Sequence, residues 1–166
     1  MRGTIEVHRF LVERDIPHEF YRLDRPLRRI DEAAVVLALD PRQVAMAELF
    51  EARPSPVLAL TRADECASLD ALAAAARVSR LRPAQPDRVL AVSGYLPHWL
   101  PPVGHERAFH VVIEEGLLFE PVLYAAGGDP GVMLVIRSED LLRATAATPA
   151  PLTRAAEESA ERRAAG

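Results

Sequence analysis

Ser93-Gly94-Tyr95-Leu96-Pro97-His98-Trp99-Leu100-Pro101-Pro102-Val103-Gly104-His105 packs three prolines, two glycines, two histidines and the chain's only tryptophan into one run. Its prolines interrupt a helix and cannot donate to a central sheet ladder. A rigid, glycine-permitted loop is therefore expected over residues 94–105, the kind of segment where binding sites usually lie.

Working outward, Pro86 suits the first turn of a helix through Val89, Leu90 and Val92 that delivers the chain into this loop. Beyond it, Phe109 to Ile113, Val122 to Ala126 and Val132 to Ile136 read as three strands. Glu115-Gly116 and Gly127-Gly128-Asp129-Pro130 supply the turns between them. Ser138 opens a capped helix with acids in its first turn.

Upstream, Ile5 to Val12 carries an imperfect helical stripe, and residues 18–23 read as a strand. Arg25-Pro26 opens a loop, and Asp31 is placed to cap a helix through Leu37. Residues 43–50 are apolar and ambiguous between helix and strand. Val57 to Leu60 is a strand that can form a hairpin with them. Ser68 to Ala76, rich in alanine and leucine, is a helix, and Val78 to Leu81 a short strand. Helices mixed with consecutive hairpin-like strands predict an α+β fold, a mixed curved sheet flanked by helices. One domain over residues 1–152 is expected, followed by a polar, flexible tail over 153–166.

The 166 residues suffice for one core, and every one of the 20 basic residues is arginine. Any chemistry that needs an amine must come from elsewhere. A formal net charge of −4 argues against extensive DNA binding, while leaving room for a local contact with the end of an RNA. No apolar run is long enough to span a membrane, and the N-terminus lacks the apolar stretch of a signal peptide, so a cytoplasmic location is expected. The single Cys66 forms no internal disulfide, and two acids beside it disfavour a thiolate.

These motifs together resemble the YbaK/EbsC family, aminoacyl-tRNA deacylases related to the editing domain of bacterial prolyl-tRNA synthetases. Ser93-Gly94-Tyr95 and Pro101-Pro102-Val103-Gly104 resemble the family's Thr-Gly-Tyr…Pro-Pro-Val-Gly signature. Leu123 to Gly128, then Gly131, resembles its late strand–turn–strand, and Glu139 to Thr145 the helix that follows. Ile30 to Ala34 and Pro41 to Val44 fit upstream. The resemblance implies hydrolysis of the ester that joins a wrong amino acid to the terminal ribose of tRNA. It implies a partner in the aminoacyl-tRNA acceptor end, with an aminoacyl-tRNA synthetase as a possible second partner. No metal and no organic cofactor are implied.

The resemblance also exposes departures. Met46 stands where the family carries a lysine after Gln43-Val44-Ala45, and a thioether neither carries charge nor donates a hydrogen bond. His98 stands where the family usually has glycine, and Pro151 where an aspartate often follows the last helix. Arg42 is the nearest cation, although a guanidinium is no equivalent of an ammonium.

The candidate site therefore comprises His98 as proton shuttle, with Met46, Ser93, Gly94, Tyr95, Trp99, Pro102, Gly104, Gly127 and Gly128 as substrate-binding residues. Each has a plainer reading. His98 is either a general base or a solvated loop histidine. Trp99 either stacks on a base or packs over the proline loop. Gly127 and Gly128 donate N–H groups to an anion or carbonyl, form a tight turn, or do both. Ser93 bonds substrate or caps a helix end. The spacing of His98, His105, His110 and Glu114 matches no standard zinc pattern. Two functions remain open: a deacylase with an altered site, or a non-catalytic binding protein that keeps the pocket and recognises an aminoacyl group, a nucleotide or a protein.

Overall fold

The computed structural model of the chain describes residues 1–25, 27–153 and 161–165. The expectations for Pro26 and for most of the tail lie outside the described residues. The elements are α1 (Thr4–Val12), β1 (Glu19–Arg22), α2 (Glu32–Val36), β2 (Ala45–Arg53), β3 (Val57–Arg62), α3 (Leu69–Ala76) and β4 (Ser79–Pro83). They continue as α4 (Pro86–Ser93), β5 (His110–Glu114), β6 (Val122–Ala126), β7 (Val132–Arg137), α5 (Ser138–Thr145) and β8 (Thr148–Ala150). The fold is α+β.

The strands divide into two sheets. One is antiparallel with order β1-β7-β6; the other is mixed, with order β4-β2-β3-β5-β8. A parallel bridge from Val44 to Tyr124 links them. Strand periodicity marks which segments are extended, but not which edges meet, so one sheet was expected where two exist.

The ambiguous segment 43–50 becomes β2. Its alanines and leucine are good helix formers, and tertiary pairing overrides that preference: Ala45 to Phe50 runs antiparallel against Val57 to Arg62 in an unbroken register. Central β3 buries both of its faces, as its continuous apolar run Val57-Leu58-Ala59-Leu60 requires. Helix α3 begins where the Ser68 hydroxyl accepts the Ala71 N–H at 3.2 Å, and ends at left-handed Arg77. Helix α4 takes Pro86 in its first turn and stops at left-handed Gly94. Asp31 does not cap α2 with its side chain; its carboxylate instead accepts Arg29 Nε at 3.1 Å.

Strand β8 was not foreseen, because Thr148-Pro149-Ala150 is too short to carry a pattern. It pairs in parallel with β5 and is held by Glu114, which is 1% exposed. One Glu114 oxygen accepts the Leu152 and Thr153 N–H groups at 2.8 and 3.0 Å, and the other accepts Gly116 N–H at 3.1 Å. Replacing Glu114 with alanine removes the acceptor from all three. The unfolding free energy should fall by about 3 kcal/mol, read as a lowered urea midpoint.

Candidate functional site

A cavity of about 390 Å³ opens between β2, the end of β3, α4 and the proline loop. Met46 and Glu48 enter its wall from β2, Thr61 from β3, Val89 from α4, and His98 and Leu100 from the loop. Met46 sits opposite Thr61 in the β2–β3 register. The loop holds its shape through a 3-10 turn over Pro97–Trp99, with Pro97 in the first position and the Trp99 N–H bonded to Leu96 carbonyl at 3.0 Å.

His98 therefore needs no left-handed backbone, and it is absent from the positive-φ residues among those described. A side chain at this point carries no backbone strain. Its side chain is exposed at the cavity and makes no hydrogen bond among the described residues. It is thus free to meet a ligand.

Met46 and His98 are the two members of the sequence-derived site that line this cavity. Trp99 is 2% exposed and packs with Leu23, Ile30, Ala33, Val44 and Met133, so of its two readings the structure takes packing. The Ser93 hydroxyl donates to the Val89 carbonyl at 2.6 Å and accepts the Tyr95 N–H at 3.1 Å, closing the end of α4. The buried Tyr95 hydroxyl donates to the Gly104 carbonyl at 2.7 Å. Pro102 is buried within the same loop.

Arg2 completes this arrangement. Its backbone N–H bonds the Gly94 carbonyl at 2.8 Å, and its Nε bonds the Gly104 carbonyl at 3.0 Å. Both glycines have positive φ, 87° and 82°. The signature residues around the loop thus shape its backbone, and the N-terminal segment clamps it.

Gly127 and Gly128 lie away from the cavity. The Gly127 N–H is committed to the Val132 carbonyl at 2.8 Å. Gly128, at φ 109°, abuts the Gly3 and Thr4 backbone, where an added Cβ would stand 2.8 Å from the Gly3 carbonyl carbon. The two form a tight turn docked on the start of α1. Arg42 lies outside the cavity wall and binds Asp40 through Nε and Nη2 at 3.0 and 2.6 Å. That guanidinium holds the Asp40 carboxyl down to about 2. In this structure the Arg42 guanidinium is engaged by Asp40.

His105, His110 and Glu114 have other partners in the fold. His105 donates from Nε2 to the Pro101 carbonyl at 2.7 Å, His110 pairs with Thr148, and Glu114 spends both oxygens on backbone. No group of three potential ligands gathers among the described residues.

Burial pushes the His105 pKa from 6.5 down to about 4, because its pocket disfavours the imidazolium. The unfolded chain then binds the proton first. Stability falls as pH drops from 6.5 toward 4, and levels off below. Urea midpoints at pH 7 and 4.5 should reveal a loss on the order of 2 kcal/mol that His105→Gln abolishes.

Sequence reading missed Glu48, Arg29, Asp31 and Glu65, all in the cavity wall. The signal for Glu48 was present: once 43–50 is a strand, residues 46 and 48 share a face. Glu48 is exposed at the cavity, yet partial desolvation by the concave wall raises its carboxyl above the usual 4.5, and the Arg29 charge opposes the shift. Three carboxylates against one guanidinium give the wall an acidic character. Met46 adds an apolar surface to this wall.

Residues 24–144 match the aminoacyl-tRNA editing domain family model. The chain belongs to that family. None of the curated proteins matches it. Among solved structures, one proposed to be a trans-editing enzyme for prolyl tRNA synthetase is 25% identical, with a TM-score of 0.82 over 91% of this chain and 96% of that one. The structure of hypothetical protein APE2540 is 20% identical, with a TM-score of 0.83 over 90% and 99%. Among the described residues of this editing domain, no helix is long and apolar enough to cross a membrane.

Proposed function

We propose that the chain is a cytoplasmic deacylase that hydrolyses the ester between a wrongly attached amino acid and the terminal ribose of tRNA. The carrying observation is His98, exposed in the cavity wall and without a protein hydrogen-bond partner among the described residues. A volume of about 390 Å³ falls within the range of small-molecule sites and accommodates an aminoacyl group.

In this reading a water oxygen attacks the ester carbonyl carbon while the His98 imidazole takes its proton. The bond from carbonyl carbon to ribose oxygen breaks, and the imidazolium returns the proton to that oxygen. Free amino acid and free tRNA result. No lysine and no metal take part. Discrimination of similar small side chains by a synthetase pocket is limited to about 1–3 kcal/mol, which is the need such a second sieve meets. A synthetase is accordingly the natural companion of the protein.

Glu48 faces the α-ammonium of the aminoacyl group in this account. Glu48→Gln should raise KM by about 10-fold or more and leave kcat nearly unchanged. Because the carboxyl sits above 4.5, KM should climb on acidification as the pH falls through that raised value. Steady-state kinetics at several pH values check both.

Met46 favours a second reading, a binding module without chemistry, because it removes the charge that the family's lysine provides. Deacylation by the wild type and by a Met46→Lys/His98→Gly double variant separates the two. Hydrolysis by the wild type supports the deacylase. An inert wild type beside an active double variant supports the binding module.

A further inference from the structure

Arg53, Arg80, Arg82 and Arg88 line a second cleft, of about 540 Å³. Arg53 ends β2, Arg80 and Arg82 lie on edge strand β4, and Arg88 lies in α4. All four side chains are exposed. Glu51, the one carboxylate in the lining, is shared between Arg82 at 2.8 Å and Arg88 at 3.2 Å. The guanidiniums of Arg53 and Arg80 make no hydrogen bond or ion pair among the described residues. Four guanidiniums against one carboxylate thus concentrate positive charge on a chain of formal net charge −4.

Charged residues on an edge strand guard against strand addition. That role explains Arg80 and Arg82, but not a concave site completed by Arg53 from β2 and Arg88 from a helix. The cleft is also the neighbour of the candidate cavity along two paths. Strand β2 passes from Met46 and Glu48 in the cavity wall to Glu51 and Arg53 in the cleft. At about 3.3 Å per strand residue, Arg53 lies roughly 17 Å along β2 from Glu48. The β4–α4 connection places Ala84 and Pro86 on the cavity, between Arg82 and Arg88 on the cleft.

We propose that this cleft seats backbone phosphates of the RNA whose acylated 3′ end enters the cavity. The inference rests on the deacylase reading above. Guanidinium forks match phosphate oxygens bidentately, and such contacts fix register without reading sequence. A cleft a few nucleotides from the reacting ester would hold the acceptor end in place while the cavity acts on the ester.

The test compares the full-length protein with an Arg53→Gln/Arg80→Gln variant, whose replaced side chains leave no partner behind. Affinity for uncharged tRNA is measured by fluorescence anisotropy across a salt series, and hydrolysis is measured on aminoacyl-tRNA and on aminoacyl-adenosine. The variant should bind tRNA about 10-fold more weakly at low salt. Its slope of log affinity against log salt should be shallower by about 1.5, the loss of two phosphate contacts. Hydrolysis of aminoacyl-adenosine, which has no backbone phosphate, should be unchanged.

An unaltered affinity and slope, with wild-type hydrolysis of aminoacyl-tRNA intact, would overturn the cleft while the deacylase reading stands. That outcome would turn the cleft toward an acidic protein surface. Equal loss on aminoacyl-adenosine would also overturn it, since the effect would not pass through phosphates. A wild type that binds no tRNA and hydrolyses neither ester overturns both.

Discussion

Replacing His98 with alanine should lower kcat/KM for deacylation by about 10²- to 10⁴-fold, the usual contribution of a positioned general base. The melting temperature should stay within about a degree. His98 is exposed and makes no hydrogen bond among the described residues, so its loss opens no void in the core and orphans no partner. The 3-10 turn that carries it depends on Pro97 and on the Trp99–Leu96 backbone bond, neither of which the substitution touches. A drop in rate without a drop in stability is therefore the signature of chemistry at this position. His98→Gln serves as a second variant: it keeps polarity and volume, but cannot accept and return a proton near neutral pH. A rate equal to wild type in both variants would remove His98 from the reaction.

Trp99, the neighbouring residue, should behave in the opposite way. Trp99→Ala should reduce unfolding free energy by about 3–5 kcal/mol, the range for deleting a large buried aromatic. It is 2% exposed, and its cluster joins Ile30 and Ala33 near α2 to Met133 on β7 and Ala126 on β6. Removing the indole leaves those elements without their common contact. Urea unfolding would report a lower midpoint, with the slope unchanged if the denatured state is unaffected. If the indole instead stacked on a base, stability would hold and RNA affinity would fall. The two neighbours thus separate cleanly: one side chain faces the cavity, and the next pins the loop that presents it.

Much of this was legible in the sequence. The Pro-Gly-rich loop, the Pro86 helix start, the alanine-rich helix after Ser68 and the three late strands all follow from local chemistry that tertiary packing did not override. The β2 segment was less legible, since Ala45-Met46-Ala47 supports helix and strand alike until β3 is placed beside it. That ambiguity hid Glu48, whose position opposite the loop depends on a strand period.

Partner identity was illegible as well. Nothing local announces that Arg2 would bond the Gly94 and Gly104 carbonyls, or that Glu114 would hold β8, because both contacts join residues far apart in the chain. Gly127 and Gly128 read equally well as ligand donors or as a turn. The approach of the Gly3–Thr4 backbone to Gly128 is likewise invisible locally. Ser93, Tyr95 and Gly104 shape the loop from behind, whereas Met46 and His98 meet the cavity.

The central claim is that the cavity bordered by Met46 and His98 is where the aminoacyl ester reacts. Cys66 lines that cavity, is exposed and is the only thiol in the chain. The most direct test is single-turnover hydrolysis of mischarged Ala-, Ser- and Cys-tRNA before and after alkylation with a bulky maleimide, beside an identically treated Cys66→Ser variant. The account predicts hydrolysis of at least one ester above the spontaneous rate, its loss on alkylation of the wild type, and full retention in Cys66→Ser. Hydrolysis no faster than in buffer, or undiminished once the thiol is fully alkylated, would contradict it.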